Sequence, residues 1–312
     1  HTIGGMQKLK IDAKKEFNVS VDACLFLTTF NVTPEFTCKE LDFYSKEPTT
    51  EFGWFREKFV HSIVDYKAVQ HIDGKSPFVL RQGMKHDCSK IMELDRFNGH
   101  YINGFKQELD PEKQLLFGIL KSSDLKHAVV DTYRKTTIVT QKKIGQDTSY
   151  IKREFPKTYD YLNANREYFN KRKSSIYRGK PPFSIFGIGD YSFAKYKVAI
   201  SGMYRRTTFS LVLPENGKPL MLDDTCYFIG FDTLEKAQVA QKILNSSVVQ
   251  NFLKSIIFSD AKRPITKDIL MRIDMQKAYD LVRFKKELPK GWEDFGIVLD
   301  KGNRRSSQMT LF

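Results

Sequence analysis

Glu16-Phe17-Asn18-Val19-Ser20-Val21-Asp22-Ala23-Cys24-Leu25-Phe26-Leu27-Thr28-Thr29-Phe30 is the stretch whose reading decides the fold. Alternation at Phe17, Val19 and Val21 predicts a β-strand. It passes into the apolar run 23–27, which predicts a strand, or the second of two, covered on both faces as inside an α/β sheet. No alternating strand–helix repeat follows. An orphaned buried strand at this point reads as the tail of a domain whose body lies upstream. His1-Thr2-Ile3-Gly4-Gly5, ahead of it, reads either as a cloning remnant or as an interior piece of a longer polypeptide.

Outward from there, residues 31–50 are loop-like, with Pro34 and Pro48 around a polar Ser45-Lys46-Glu47, and a domain boundary is expected near residue 50. Residues 53–71 carry Phe55, Phe59, Ile63, Tyr66 and Val69 at helical spacing. Asp73-Gly74-Lys75-Ser76-Pro77 is a turn before a short strand at Phe78. Residues 91–120 give short strands and turns, and 133–141 a strand with basic flanks. Residues 156–173 predict a helix with Tyr159, Leu162, Tyr168 and Phe169 inward, ending in Lys171-Arg172-Lys173, where cations suit a helix C-terminus. Residues 182–213 are strand-rich. Asp232 and Glu235 form a capping box for a helix, which a second helix through Phe252 and Ile256 follows as a hairpin. Thr266 caps a further helix. The expected class is therefore α+β: a strand-rich body with a helical hairpin. Its divisions are residues 1–50, 51–275, and 276–312 as a helix and polar tail, loosely held beyond residue 288.

Charge is concentrated in one region. Residues 133–206 hold seventeen Lys and Arg against five Asp and Glu, in a chain of net charge +14. Aromatic residues run through the same region at Tyr150, Tyr159, Tyr161, Tyr168, Tyr177, Phe183, Tyr191, Tyr196 and Tyr204. Unpaired charges of this density cannot be buried, so the region must be surface, and its natural partner is a polyanion. Membrane is the weaker candidate, because no apolar run approaches the ~20 residues needed to span a bilayer. Cys24, Cys38, Cys88 and Cys226 are scattered without a CxxC pair. That predicts structural thiols in a reducing cytoplasm, with neither zinc nor disulfides.

Searches for catalysis fail. Pro181-Pro182-Phe183 resembles part of an adenine-accepting triad, but Lys180 precedes it and lysine has only donors. Phe186-Gly187-Ile188-Gly189 has the wrong spacing for a cofactor loop. His86-Asp87-Cys88-Ser89 offers an imidazole beside a thiol, yet it reads first as a polar turn. Asp260-Ala261-Lys262 is half of a nuclease motif and no more. No catalytic or metal-binding residues are expected.

Several phrases together resemble one family. They are Ile11-Asp12-Ala13-Lys14-Lys15-Glu16-Phe17 running into Val19-Ser20-Val21-Asp22-Ala23-Cys24; Gly83-Met84-Lys85-His86-Asp87-Cys88-Ser89-Lys90-Ile91-Met92-Glu93-Leu94; Leu120-Lys121-Ser122-Ser123-Asp124; and Val139-Thr140-Gln141-Lys142-Lys143-Ile144-Gly145. Further on come Lys173-Ser174-Ser175-Ile176-Tyr177, residues 183–193, Asp223-Asp224-Thr225-Cys226-Tyr227-Phe228, and Asp260-Ala261-Lys262-Arg263-Pro264-Ile265-Thr266-Lys267. Over residues 10–275 the chain is similar to the C-terminal portion of bacterial adenine-specific DNA methyltransferases of restriction–modification systems, the group with a TaqI-like specificity domain. The resemblance implies that the first ~30 residues are the last strands of a Rossmann-like methyltransferase catalytic domain, and that the rest is a target-recognition domain for duplex DNA. It implies S-adenosylmethionine for the intact parent. The family's cofactor loop and Asn-Pro-Pro-Tyr motif are missing from these residues, so this chain is expected to bind DNA without methylating it alone.

Lys and Arg on phosphates give affinity and register, while side chains at base edges give specificity. The expected phosphate contacts are Lys135, Lys142, Lys143, Lys152, Arg153, Lys173 and Lys180. Arg134, Gln141, Arg178, Arg205 and Arg206 are the candidates for bases or grooves, with Tyr177 as an aromatic wall. Three rivals remain: a stand-alone DNA specificity subunit working with a separate methyltransferase or nuclease chain, an RNA-binding protein, and a hydrolase using Cys88 and His86.

Overall fold

The computed structural model describes residues 1–282, an α+β chain built on three sheets. The first sheet contains β1 (Ile3–Ile11), β2 (Ala23–Phe30), β3 (Thr37–Asp42), β4 (Pro48–Phe55) and β5 (Lys58–Val60), in the order β2-β1-β3-β4-β5. β1 and β3 are parallel and the other pairs antiparallel. Much of this departs from expectation. The opening residues are the second strand of the sheet. Residues 13–17 form a short helix, α1 (Ala13–Phe17), because the Asp12 carboxylate accepts from the Lys14 and Lys15 amides and so satisfies free helix N–H groups. Loop-like residues 31–50 contain β3, and residue 50 falls inside β4. The helix expected from residue 53 begins only at α2 (Ile63–Val69), capped by Ser62.

β2 is not buried. It is an edge strand, with Leu25 45%, Phe26 53%, Leu27 44% and Phe30 62% exposed. Cys24 is exposed with it, while the other three cysteines are buried, and all four are free.

The remaining strands are β6 (Arg81–Gln82), β7 (Glu93–Phe97), β8 (His100–Ile102), β9 (Glu108–Leu109), β10 (Leu116–Leu120), β11 (Val129–Val130), β12 (Lys135–Ile138), β13 (Tyr196–Ser201), β14 (Ser210–Val212), β15 (Met221–Leu222) and β16 (Cys226–Phe231). They make two mixed sheets, β15-β10-β12-β7-β8-β9 and β11-β14-β13-β16-β6. The helices after α2 are α3 (Ser89–Met92), α4 (Tyr150–Glu154), α5 (Pro156–Ala164), α6 (Arg166–Asn170), α7 (Leu234–Leu244), α8 (Ser247–Ile256), α9 (Lys267–Leu270) and α10 (Met275–Val282). Among the described residues no helix is long and apolar enough to cross a membrane.

Three apolar clusters hold these parts. The largest packs α2, α7, α8 and α10 on one face of β13 and β16 through Val198, Ile200, Ile229, Ala240, Ile243, Phe252 and Met275. A second lies where the middle sheet meets α4, α5 and α6, around Leu94, Ile138, Ile151, Leu162 and Phe169. The third joins the two sheets through Leu120, Ala199, Leu222 and Phe228. β13 is therefore covered on both sides. The α7–α8 hairpin is as expected, except that Thr233 rather than Asp232 caps it, its hydroxyl accepting from Lys236 N. Residues 183–186 form no strand beyond the isolated Phe186–Lys85 bridge. The expected helix 156–173 is broken at Asn165 into α5 and α6. The polar tail beyond residue 288 lies outside the described residues.

Candidate nucleic-acid interface

Two loops, 140–148 and 172–186, are stitched side by side. Thr140 Oγ1 donates to Phe183 O (2.7 Å), Thr148 Oγ1 to Pro182 O (2.5 Å), and Ile185 N donates to Gln141 Oε1 (2.7 Å). The Gln141 amide also donates to Gln146 O. Gln141 is thus 1% exposed and fully engaged, a staple that shapes the loop rather than a side chain offered to a base edge. One of these loops carries Lys142 and Lys143 and the other Lys173, Arg178 and Lys180, all exposed, and the exposed Lys152 and Arg153 follow on α4. Tyr177 stands half-buried behind them, its hydroxyl donating to Lys85 O (3.0 Å).

Most of the aromatic residues in this region face inward. Phe183 is 2% exposed against Phe169, at 5.1 Å between ring centroids, and Tyr150, Tyr159 and Tyr161 join the same core. They hold the cationic loops from beneath. Tyr168 and Tyr204 remain exposed.

Other expected contacts have partners within the chain. Arg134 is held by Asp124 (2.7 Å) and Ser123, and Lys135 by Asp95 (3.1 Å), at the far end of β12. Arg153 pairs with Glu154 (2.6 Å). Arg206 donates to Lys126 O (2.8 Å) and Arg205 to Ser259 O (2.9 Å). Solvent-exposed pairs of this kind contribute only about 0–1 kcal/mol, so a phosphate can displace the carboxylate from Arg134 or Arg153 at little cost.

Arg172, one of the three cations expected only to suit a helix C-terminus, is engaged on all sides. Its guanidinium lies 3.7 Å from the Tyr177 ring centroid and donates to Phe169 O, His86 O and Ser184 O. Burial pulls its pKa below the ordinary arginine value. The Lys171-Arg172-Lys173 triplet was the available signal.

The suspected catalytic groups are occupied elsewhere. His86 Nδ1 accepts from Cys88 N (3.1 Å), which leaves Nε2 facing Glu93 (3.5 Å), itself paired with Lys121 (2.7 Å). Burial pushes the Cys88 thiol up to about 11, the wrong direction for a nucleophile. Asp260 is bound to Lys8 of β1 (3.0 Å). Among the described residues no group of three His, Cys, Asp or Glu is placed to hold a metal ion.

No protein-family model matches this chain. Over 269 residues, 86% of its length, it is 38% identical to the type II methyltransferase M.NspV of Nostoc sp. (strain ATCC 29411 / PCC 7524). It spans about half that protein, 56% of its length. The solved structure of the type IIL restriction–modification enzyme MmeI in complex with DNA aligns with 95% of this chain and 45% of its own, at 10% identity and a TM-score of 0.43, too loose a likeness to identify a fold. By sequence, this chain is homologous to part of a type II methyltransferase.

Proposed function

We propose that this chain is the DNA-holding, target-reading part of an adenine-specific DNA methyltransferase of a restriction–modification system, and that it binds duplex DNA without methylating it alone. The observation that carries the reading is the set of exposed cations on two mutually fastened loops, Lys142 and Lys143 on one and Lys173, Arg178 and Lys180 on the other, with Lys152 following on α4. Homology to part of a type II methyltransferase supports it. A rigid row of cations fixes a duplex in register. Holding the duplex matters because extruding an adenine costs a few kcal/mol that binding must offset.

The first sheet, through β5, would complete a Rossmann-like catalytic part supplied by preceding polypeptide, and residues 61–275 would form the recognition part. The exposed apolar residues of β2 support this, since a strand apolar on both faces suits the inside of a sheet. So does the apolar hollow of about 560 Å³ beside it, lined by Ile3, Phe26, Phe36, Trp54 and Phe59. S-adenosylmethionine would bind in the preceding part. The glycine stretch 186–189 does not fit it, because Ile188 is 1% exposed and a Cβ at Gly187 would lie 2.7 Å from Gly83 O. That stretch packs on the chain itself.

Gel-shift titration of duplex DNA at rising salt tests the reading. The affinity should fall with a slope of about 0.9 per phosphate neutralised in a plot of log K against log salt. Lys142→Ala with Lys143→Ala should weaken binding to all sequences and flatten that slope by about one per phosphate lost. Added S-adenosylmethionine should give no methyl transfer. Binding indifferent to both salt and these substitutions would remove the proposal.

A further inference from the structure

Between the C-terminal end of α6 and the turn at Tyr177 lies a notch of about 380 Å³. Arg166, Arg172, Arg178 and Lys180 line it together with Tyr177, and no carboxylate lines it anywhere. Among the described residues Arg166, Arg178 and Lys180 make no ion pair and no side-chain hydrogen bond. Their neighbours behave differently: Lys171 is tied to Glu167 (2.9 Å) and Lys85 faces Asp87 (3.6 Å). Four cations around so small a space repel one another unless an anion sits among them.

The floor is also fixed. Arg172 is fastened by the three carbonyls of Phe169, His86 and Ser184, which removes those negative ends from the notch. Its stacking partner Tyr177 is pinned in turn through its hydroxyl. Gly179, at φ +66° with open space where a Cβ would stand, turns the chain so that Arg178 and Lys180 both border the notch. Guanidinium groups on a rigid base, flanked by an exposed ammonium, suit a tetrahedral oxyanion.

We infer that this notch is a binding site for one phosphate group, and that in the complex with duplex DNA the group is a single backbone phosphodiester held jointly by Arg178 and Lys180 over the fixed Arg172. The DNA assignment rests on the function proposed above; the phosphate site does not.

The salt dependence of duplex binding is measured for the wild type, Arg178→Ala, Lys180→Ala and the double variant, with thermal melts confirming that all four fold alike. Two cations sharing one phosphate should leave each single variant with weaker binding and nearly the wild-type slope, while the double variant flattens the slope by about 0.9. Single variants that each lose about 0.9, with a double variant losing twice as much, mean two separate phosphates and overturn the inference, as does a double variant with the wild-type slope. A second arm adds inorganic phosphate against chloride at constant ionic strength. Phosphate should raise the melting temperature of the wild type but not of the double variant, and should compete with duplex only in the wild type. A notch-dependent shift without any duplex binding would keep the phosphate site, assign it to free phosphate and sink the DNA reading. No shift with duplex binding intact would sink the site and leave the DNA reading standing.

Discussion

Lys197 is a lysine where β13 has no room for one. Its strand neighbours Val198 and Ile200 point into the helical core, and Lys197 points the other way, 1% exposed, between the second and third sheets. Its ammonium donates to Ala194 O (2.7 Å) and Leu220 O (2.9 Å), and lies 5.9 Å from the Phe228 ring. Those carbonyls leave the charge itself uncompensated, and burial pulls the pKa down to about 7. The unfolded chain, with an ordinary lysine value near 10.4, then binds more protons than the folded one across the interval between. Stability must therefore rise as pH goes from about 7 to about 10, by at most about 1.4 kcal/mol per pH unit from this group. Below pH 7 both states are protonated and the contribution is flat, at its least favourable. Urea midpoints at pH 7, 8, 9 and 10 should climb for the wild type. The climb should be largely absent in Lys197→Met, which keeps the volume without the charge. Parallel curves for the two proteins would place the ammonium in contact with water.

At the scale of elements, the tightest crossing lies where the segment after β6 passes the turn between β15 and β16. A Cβ on Gly83 would stand 2.1 Å from Asp223 O and 2.4 Å from Leu222 O, all backbone that cannot yield. Gly83→Ala should cost more than ~3 kcal/mol, as overpacking against a fixed main chain does. Gly99→Ala, left-handed at φ +84° but open to solvent, should cost only ~1–2 kcal/mol. Chemical denaturation of the two variants gives the comparison, and equal losses would refute the steric account. Neither glycine's environment was legible in the sequence, because the opposing carbonyls come from distant residues. The α7–α8 hairpin was legible, since Ala237, Ala240, Ile243 and Leu244 repeat with the helical period and are buried. The first sheet was not. Phe17, Val19 and Val21 alternate like a strand, but the Asp12 cap turns the chain into α1, and Val19 and Val21 end in solvent. The cationic region could be read from charge alone. That its rings lie beneath the surface rather than on it could not, because alternation does not say which face a core will cover.

Across the whole molecule, unsatisfied surface is of two kinds in two places. The loops at 140–148 and 172–186 carry exposed cations in excess of their one carboxylate, Asp147, whereas the edge at β2 carries Leu25, Phe26, Leu27 and Phe30 without cover. The second kind is a hazard for a chain handled by itself, because an apolar strand with a free hydrogen-bonding edge templates association. Lys8 of β1, paired within the sheet with Glu40 of β3 (2.9 Å), pins this sheet to the rest through Asp260 (3.0 Å), so the exposed edge is held in place by the fold. The chain should therefore self-associate as its concentration rises, by light scattering, and Leu25→Lys with Leu27→Lys should shift it toward monomer. If the edge serves to join a preceding catalytic part, the same double variant should keep the wild-type affinity and salt slope for duplex DNA. Joined to the preceding polypeptide, it should lose methyl transfer. Loss of DNA binding in the isolated variant would mean that the two surfaces are one, and that β2 takes part in holding the duplex.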